Sequence, residues 1–262
     1  MTILDTIIEY KKGEVAQAKA LKSIAELKQM PHFSKPALSL KQFLLDETKT
    51  GIIAEYKRQS PSKGIINATA TVAEVTTSYS QNGASGISVL TDNHFFGGNL
   101  DDLLAATINE VPLLRKDFMI DEYQLVEAKA YGASVILLIA ACLSPERVKE
   151  LAIEAKNIGL EVLLEIHHAE ELLHICEEID MVGVNNRNLK DFKVNVEASA
   201  QLIKEIPTNK IAVAESGISN TDTIVFLRDV GFKGFLIGEH FMKQPKPAIA
   251  FADFVADLKL KQ

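Results

Sequence analysis

Residues 134–166 read SVILLIAACLSPERVKELAIEAKNIGLEVLLEI, and this segment carries the clearest signal of the fold. Two apolar runs, 134–140 and 160–166, flank a segment with helical spacing. Both runs are continuously hydrophobic instead of alternating with polar residues, which is typical of strands covered on both faces in a parallel sheet. Ser-Pro-Glu at 144–146 supplies a helix N-cap with proline at the first helical position, and Gly159 follows the helix end. The stretch therefore predicts a β-α-β unit.

The same alternation extends in both directions and predicts eight strands and eight helices. This pattern favours a closed (β/α)8 TIM barrel over an open doubly wound sheet, which normally uses fewer strands. The length of 262 residues is close to the usual size of that barrel. The predicted strands are 51–57, 86–91, 111–116, 134–140, 160–166, 181–186, 210–216 and 234–239, and the predicted helices are 71–82, 99–109, 121–131, 144–157, 168–178, 195–205, 220–230 and 245–260.

The residues before the first strand are expected to form a helical extension of the barrel. One or two helices are predicted over roughly 3–28, followed by a connector punctuated by Pro31 and Pro36. We expect this N-terminal extension, residues 1–50, to pack on the barrel. Residues 1–262 then make a single (β/α)8-barrel domain.

The composition indicates an acidic globular protein, with a formal net charge of −7 and 47% apolar residues. Nucleic acids and anionic membranes attract clustered cations, so neither is expected as a partner. Cys142 and Cys176 lack a CxxC spacing and are expected to be reduced thiols. No apolar run reaches the roughly 18–20 residues of a membrane span, and residues 1–12 lack a signal-peptide pattern. We expect a cytoplasmic protein, and we expect it to be a monomer.

Charged and polar residues stand where the predicted strands end, and the active site of such barrels lies at those carboxyl ends. Side chains alternate along a strand, so residues 55 and 57 share a face with inward residue 53. Two lysines and three glutamates would then converge on the mouth of the barrel, where close opposite charges shift one another's pKa values for acid–base chemistry. These five are Glu55, Lys57, Lys116, Glu165 and Glu215, and Asn185, Asn186 and Ser216 stand at further strand ends.

Two glycine-containing loops predict a phosphate site. In this fold the loops after the seventh and eighth strands commonly bind phosphate through backbone N–H groups and a short helix. Here the seventh strand leads into Ser216-Gly217 and the eighth into Gly238-Glu239, and glycine lets an anion approach the backbone closely. Ser60, after the first strand, can add a hydroxyl. A small phosphorylated molecule is therefore the expected substrate.

Motifs of several other enzyme classes are absent from the sequence. The six histidines form neither an HxH nor an HExxH pattern. The side chains of adjacent His167 and His168 point apart, so no metal site is predicted. No GxSxG elbow, P-loop or dinucleotide fingerprint occurs. Phe96 and Phe118 follow the second and third strands, where they would either line an apolar pocket or anchor the loops.

Eight blocks of sequence, taken together, resemble the indole-3-glycerol-phosphate synthase family of tryptophan biosynthesis. They occur in order along the barrel, and AEYKRQSPSKG and LLRKDF are the most specific. Tyr56, Asn188 and Ala214 depart from the usual family residues, but none is a reacting group. The blocks are IIAEYKRQSPSKG (52–64), ISVLTDNHFFGG (87–98), VPLLRKDFMID (111–121), GASVILLIA (132–140), LLEIH (163–167), VGVNNRNL (182–189), AESGI (214–218) and LIGEHFM (236–242).

The resemblance implies a carboxy-lyase that closes an indole ring. The substrate 1-(2-carboxyphenylamino)-1-deoxyribulose 5-phosphate would lose CO2 and water to give indole-3-glycerol phosphate. By resemblance, Lys116 is the general acid that polarises the substrate ketone. Lys57 and Glu165 are then the acid and base of the dehydration, and Glu55 orients Lys57. No metal or organic cofactor is implied, because the substrate nitrogen itself supplies the electrons.

The resemblance also assigns residues to each part of the substrate. Asn185 and Glu215 match residues that hold hydroxyls, and Arg187 lies where the family contacts the benzoate end. The backbone of Glu239 belongs to the phosphate site. The whole substrate-binding set is Asn185, Arg187, Glu215, Ser216, Phe96, Phe118, Leu137 and Leu189, and the phosphate-binding set is Ser60, Gly217, Gly238 and Glu239.

Other functions remain open at this point. Phosphoribosylanthranilate isomerase, another barrel of the tryptophan pathway, would share the phosphate and aromatic pockets. It is expected to use a Cys and an Asp at strand ends, where Cys142 and Cys176 fit poorly. A class I aldolase would use one lysine as a Schiff-base nucleophile. A non-catalytic barrel would only bind its ligand, although the intact set of ionisable strand-end residues argues against it.

Overall fold

The computed structural model describes residues 2–187 and 195–261, and within them eight parallel strands form a closed barrel. Each strand pairs with its neighbours along the chain, and the last closes on the first through Phe235 and Ile52. The predicted (β/α)8 barrel is confirmed, and the open sheet is excluded. The strands are β1 Ile52–Tyr56, β2 Gly86–Leu90, β3 Leu113–Lys116, β4 Val135–Ile139, β5 Glu161–Ile166, β6 Met181–Asn185, β7 Ile211–Glu215 and β8 Gly234–Ile237.

The strand side chains divide into two apolar layers, which explains the continuous hydrophobic runs in the sequence. Inward residues, among them Ile53, Leu114 and Leu163, fill the interior of the barrel. Outward residues pack beneath the surrounding helices in a second, larger cluster. Because Glu55 is in phase with Ile53 and Glu165 with Leu163, both carboxylates point into the mouth of the barrel.

The N-terminal extension begins at the mouth, where α1 (Ile3–Leu21) lies across the loops that follow β2 and β3. The short helix α2 (Ile24–Lys28) follows, so the helical segment predicted over roughly 3–28 is confirmed and consists of two helices. The Tyr123 hydroxyl donates a hydrogen bond to the Ala18 carbonyl at 3.0 Å, which ties α1 to the side of the barrel. The extension therefore contacts the end of the barrel where the site is expected.

A third helix of the extension, α3 (Leu40–Leu45), was not predicted and closes the base of the barrel. Leu40 and Leu44 join the cluster of inward strand residues. The Ser39 hydroxyl caps the helix and also contacts Glu161 at the start of β5. Six residues are too few to show a helical repeat in the sequence, so α3 is visible only once the open base of the barrel is known.

The remaining helices follow the strands, and several begin at predicted caps. Ser144 accepts the Arg147 N–H, and Pro145 takes the first helical position. No helix among the described residues is both long and apolar enough to span a membrane. The helices are α4 Val72–Gln81, α5 Leu100–Ala106, α6 Glu122–Ala130, α7 Pro145–Asn157, α8 Val196–Leu202, α9 Thr221–Asp229, α10 Glu239–Met242 and α11 Pro247–Lys259.

The predicted α-helix at 168–178 is wrong, because the chain forms only a short 3₁₀ segment, Ala169–His174. The Glu171 carboxylate accepts the His167 N–H at 2.5 Å and the His168 N–H at 3.2 Å. These bonds fold the start of the segment back onto the end of β5. The Glu171 side chain, which the prediction placed on a helix, therefore lies beside the cavity at the barrel mouth.

Candidate active site

A cavity of about 630 Å³ opens at the carboxyl ends of the strands. Every predicted site residue within the described part of the chain lines it, while Leu189, like Asn188, lies outside the described residues. The structure therefore brings the predicted set together, and the role of each residue stays a prediction. The lining set comprises Glu55, Lys57, Ser60, Phe96, Lys116, Phe118, Leu137, Glu165, Asn185, Arg187, Glu215, Ser216, Gly217, Gly238 and Glu239.

The end of β1 carries the first ion pair. Lys57 Nζ lies 2.7 Å from Glu55 Oε1, and Glu55 is buried while the lysine keeps some contact with solvent. A Cβ atom at Gly238 would lie 2.5 Å from the same Glu55 oxygen. Glycine at this position therefore gives room to the Glu55 carboxylate, beyond any part it has in holding phosphate.

The second ion pair joins β3 to β5 across the mouth. Lys116 Nζ lies 3.3 Å from Glu165 Oε2, and Asn185 Nδ2 donates to Glu165 Oε1 at 2.9 Å. Although burial works against both charges, the attraction between them raises the pKa of Lys116 and lowers the pKa of Glu165. Both side chains are therefore charged near neutral pH.

Glu215, at the end of β7, is in a different protonation state. It is 1% exposed, and no described residue hydrogen-bonds its Oε1. Burial, reinforced by the negative charge of Glu165, raises the pKa of Glu215 to about 8. Gly183 on β6 leaves space for this side chain, because a Cβ atom there would overlap Glu215 Oε1. At neutral pH Glu215 is therefore a hydrogen-bond donor.

His167 joins this group, although sequence reasoning had considered it only as an improbable metal ligand. Its side chain is 3% exposed, and Nε2 lies 3.4 Å from Glu165 Oε1. On its other side Nδ1 lies 3.8 Å from Glu171 Oε2. Alternation along β5 was the missed signal, since a residue two positions beyond Glu165 shares its inward face.

The loops after β7 and β8 have the backbone expected of an anion site. Ser216 and Gly217 are consecutive left-handed residues, with φ of 66° and 72°. Successive N–H groups in such a turn form a concave nest for anions, and strain of this kind is concentrated at functional sites. Gly238 begins the short helix α10. Ser60, from a hairpin after β1, has a buried Oγ that no described residue hydrogen-bonds.

Arg187 lies beside these loops. Its Nη2 is 3.1 Å from Glu239 Oε2, and its Nη1 is 3.4 Å from Ser62 Oγ. Despite burial, which acts in the opposite direction, Arg187 lowers the pKa of Glu239 and keeps that carboxylate charged. In this structure Arg187 therefore lies beside the predicted phosphate loops, and its assignment to the benzoate end stays a prediction.

An aromatic wall faces the charged residues. The rings of Phe96 and Phe118 tilt together with centroids 6.1 Å apart, and Leu137 lines the same cavity. The start of the N-terminal extension also lines the cavity, through apolar Ile3, Leu4 and Ile7 and polar Thr2 and Asp5. The sequence did not show these contacts, because an isolated amphipathic helix does not reveal its docking partner.

The two lysine–glutamate pairs and Glu215 thus line a pocket that has the left-handed Ser216-Gly217 turn on one side and an aromatic wall on another. Such a site suits acid–base chemistry on an aromatic phosphate. Within the described ranges, 2–187 and 195–261, no cluster of three or more His, Cys, Asp or Glu side chains is suited to hold a metal ion.

Comparisons with known proteins agree over nearly the whole chain. The family model described as indole-3-glycerol phosphate synthase matches residues 4–254. A protein of that name from Bacteroides thetaiotaomicron is 48% identical over 254 residues, which are 97% of each chain. Another from Aliarcobacter butzleri is 45% identical over 249 residues, covering 93% of this chain and 94% of the other.

Among solved structures, a mutant tryptophan synthase α-subunit from Pyrococcus furiosus superposes with a TM-score of 0.62. The match covers 81% of this chain and 99% of that one, at 14% sequence identity. An identity this low shows a shared fold and nothing about the reaction.

Proposed function

Because the chain belongs to the indole-3-glycerol phosphate synthase family, we propose that the side chains at its barrel mouth close the indole ring by lysine–glutamate acid–base catalysis. The chain is a decarboxylating lyase of tryptophan biosynthesis. The observation that carries the proposed roles is the presence of two ion pairs, Glu55–Lys57 and Lys116–Glu165, in one cavity between an anion nest and an aromatic wall.

The shape of the cavity supports one orientation of 1-(2-carboxyphenylamino)-1-deoxyribulose 5-phosphate. The phosphate binds the N–H groups of Gly217 and of Glu239, with the Ser60 hydroxyl beside it. The aromatic ring packs on Phe96 and Phe118. The sugar carbons then extend across the two ion pairs, where protonated Glu215 can donate to a hydroxyl.

Ring closure is the first chemical step. The aromatic carbon that bears the carboxylate attacks the ketone carbon, and the ketone oxygen takes a proton to become a hydroxyl. Lys116 supplies this proton, because its raised pKa keeps it charged in the free enzyme. Decarboxylation follows: the bond to the carboxylate breaks, and its electron pair restores the aromatic ring as CO2 leaves.

Dehydration completes the indole. Lys57 protonates the new hydroxyl, which leaves as water, while Glu165 removes a proton from the former C1 of the sugar. Glu165 is then protonated and Lys116 neutral, and the two lie 3.3 Å apart, so direct transfer restores both. Lys57 recovers its proton from solvent, to which it is partly exposed. Each turnover consumes one proton, which balances the negative charge of the carboxylate lost as CO2.

Substitution of Lys116 tests this assignment. We expect Lys116→Met to lower kcat by about 10²–10⁴-fold, the usual contribution of a positioned general acid, with a smaller change in KM. The chain contains no tryptophan, so indole fluorescence reports the product without background from the protein. Lys149→Met, which removes an exposed lysine on α7, should leave turnover unchanged. Near-normal turnover of the Lys116 variant would remove that residue from the mechanism.

We also propose that the enzyme works as a cytoplasmic monomer and does not bind nucleic acid or membranes. The formal net charge of −7 supports this proposal, since such partners favour clustered cations. Light scattering coupled to size-exclusion chromatography would measure the mass of the protein in solution. The mass of a dimer would contradict the proposed monomer.

A further inference from the structure

Lys11, on α1, is a buried cation that the mechanism above does not use. It is 0% exposed, and Nζ lies 2.9 Å from Asp92 Oδ2, 2.8 Å from Asp117 Oδ1 and 2.8 Å from Glu14 Oε1. An ammonium removed from water is unfavourable unless carboxylates pair with it. Two of these carboxylates come from the barrel, so the ion cluster joins the extension to the loops after β2 and β3.

Each barrel carboxylate also holds a residue of the aromatic wall. Asp92 Oδ1 accepts the Phe96 N–H at 3.3 Å, and Asp117 Oδ1 accepts the Phe118 N–H at 2.8 Å. Asp117 directly follows Lys116 in the chain. The two carboxylates that receive Lys11 are therefore the ones that fix the backbone of Phe96 and Phe118.

Tyr10, the residue before Lys11, contacts the loop after β2. The Tyr10 ring stacks on His94 with centroids 4.4 Å apart and meets Phe95 edge-on at 5.7 Å. Helix α1 is thus attached to the loop after β2 at two adjacent positions, one buried and ionic, the other half-exposed and aromatic.

Lys11 and Asp117 stabilise each other's charges. Burial alone would lower the pKa of Lys11, but Asp117 and Asp92 outweigh it and raise that pKa. In return Lys11 and Arg115, acting against burial, lower the pKa of Asp117 to about 2. Without the lysine, Asp117 would keep its pair with Arg115, but Asp92 would lose this ammonium, and the two buried carboxylates would no longer be held together by a shared cation.

We propose that Lys11 is a positioning residue for the aromatic half of the substrate. It clamps the loops after β2 and β3 against α1 and so sets the spacing between Phe96 and Phe118. This inference rests on the proposed function, which places the aromatic ring of the substrate on those two side chains. The phosphate nest belongs to other loops and does not depend on the clamp.

The test compares Lys11→Met with Lys12→Met, which removes an exposed lysine of the same helix. For Lys11→Met we expect KM to rise by about tenfold or more, equivalent to roughly 1.4 kcal/mol of lost binding. The competitive inhibition constant of inorganic phosphate, which probes the nest alone, should stay at its wild-type value. A purely structural loss would reduce the active fraction and hence kcat, without raising KM. Lys12→Met should change none of these constants.

Tyr10 keeps the proposal testable if Lys11→Met does not fold. Tyr10 is 47% exposed, so Tyr10→Ala leaves no buried charge, and we expect it to raise KM while Tyr10→Phe keeps the ring and the wild-type KM. Unchanged KM in the folded Lys11 variant, or in Tyr10→Ala if that variant alone folds, would overturn the proposal. So would a parallel rise in the phosphate constant. Failure of the proposed function would be distinct, because the wild type itself would then make no indole product.

Discussion

Three of the glutamates that line the cavity stand at strand ends, and their surroundings give them different protonation states. Glu55 and Glu165 each contact a lysine ammonium, whereas among the described residues Glu215 forms no ion pair. Burial and the charge of Glu165 therefore keep a proton on Glu215 up to a pH of about 8. A neutral carboxyl can donate to a substrate hydroxyl without adding a further negative charge beside Glu165.

This difference predicts how stability depends on pH. The pKa of Glu215 rises from 4.5 to about 8 on folding, so between these values the folded state holds a proton that the unfolded state releases. The native state therefore becomes progressively less stable over that interval as pH rises. Glu215→Gln, neutral at every pH, escapes this loss. Its Tm advantage over the wild type should grow from pH 4.5 to about 8 and then level off.

Measuring the Tm of both proteins at several pH values between 4.5 and about 8 would check this expectation. Glu154→Gln, which removes an exposed carboxylate on α7, is the matched control and should show a small difference that does not depend on pH. A Tm difference for the Glu215 variant that is flat with pH would contradict the assigned protonation.

At this scale the sequence predicted which residues meet but not their protonation states. The alternation that placed Glu55 and Glu165 inward follows from strand geometry alone. The state of Glu215 depends on its distance to Glu165 and on the gap left by Gly183, and these belong to other strands. Register between strands cannot be derived from any one strand's sequence.

The glycines in the turns after β7 and β8 have different neighbours, so substitutions at the two positions should have different effects on KM and kcat. Gly217 is left-handed at φ 72°, so Gly217→Val strains the nest and should raise both KM and the phosphate inhibition constant. Gly238→Val also brings a side chain against Glu55, so it should lower kcat as well. Gly159→Val is the matched control, because Gly159 is also left-handed, at φ 75°, but follows α7 and does not line the cavity.

Steady-state kinetics with inorganic phosphate as inhibitor would measure all three glycine variants. The Gly159 variant should lose stability but keep wild-type KM and kcat. If phosphate inhibits the Gly217 variant as strongly as the wild type, the anion site lies elsewhere.

Helices long enough to show a period were predictable, and so were the short strands, because each strand is a continuous apolar run, whereas α3 and the 3₁₀ segment after β5 were not predicted. Helix α7 spans 13 residues with a proline start, and its bounds agree with the prediction to within one residue. The 3₁₀ segment Ala169–His174 has no such period. Its start is fixed instead by the hydrogen bond that the His167 N–H donates to the Glu171 carboxylate. Local propensity is weak in such segments, so tertiary contacts determine their structure.

The whole molecule separates stability at the base of the barrel from chemistry at its mouth. The N-terminal extension serves both ends, with α1 lining the cavity and α3 closing the interior from below. The sequence predicted that an extension packs on the barrel. The sequence could not show that this extension runs from the mouth to the base. Its path depends on which apolar surfaces the closed barrel leaves uncovered.

Leucines of α3 test this separation. Leu44 is buried in the barrel interior, and Leu45 beside it is exposed. We expect Leu44→Ala to reduce the free energy of unfolding by about 2–5 kcal/mol, and Leu45→Ala by less than about 0.5 kcal/mol. Chemical denaturation would measure both, and KM and kcat should stay at wild-type values below the unfolding transition. A change in KM for the Leu44 variant would show that base and mouth are coupled.

The most direct test of the proposed mechanism is rapid-quench analysis of Glu165→Gln with the carboxyphenylamino substrate. Glutamine keeps the size and the contact with Asn185 but cannot remove the proton from C1. The mechanism predicts that a cyclised, decarboxylated but still hydroxylated intermediate accumulates, with CO2 released ahead of indole. Glu55→Gln, which removes the charge that pairs with Lys57, should slow turnover without such a delay between CO2 and indole. If the Glu165 variant releases CO2 and indole together and only the Glu55 variant accumulates the intermediate, the two roles are reversed and the account is wrong.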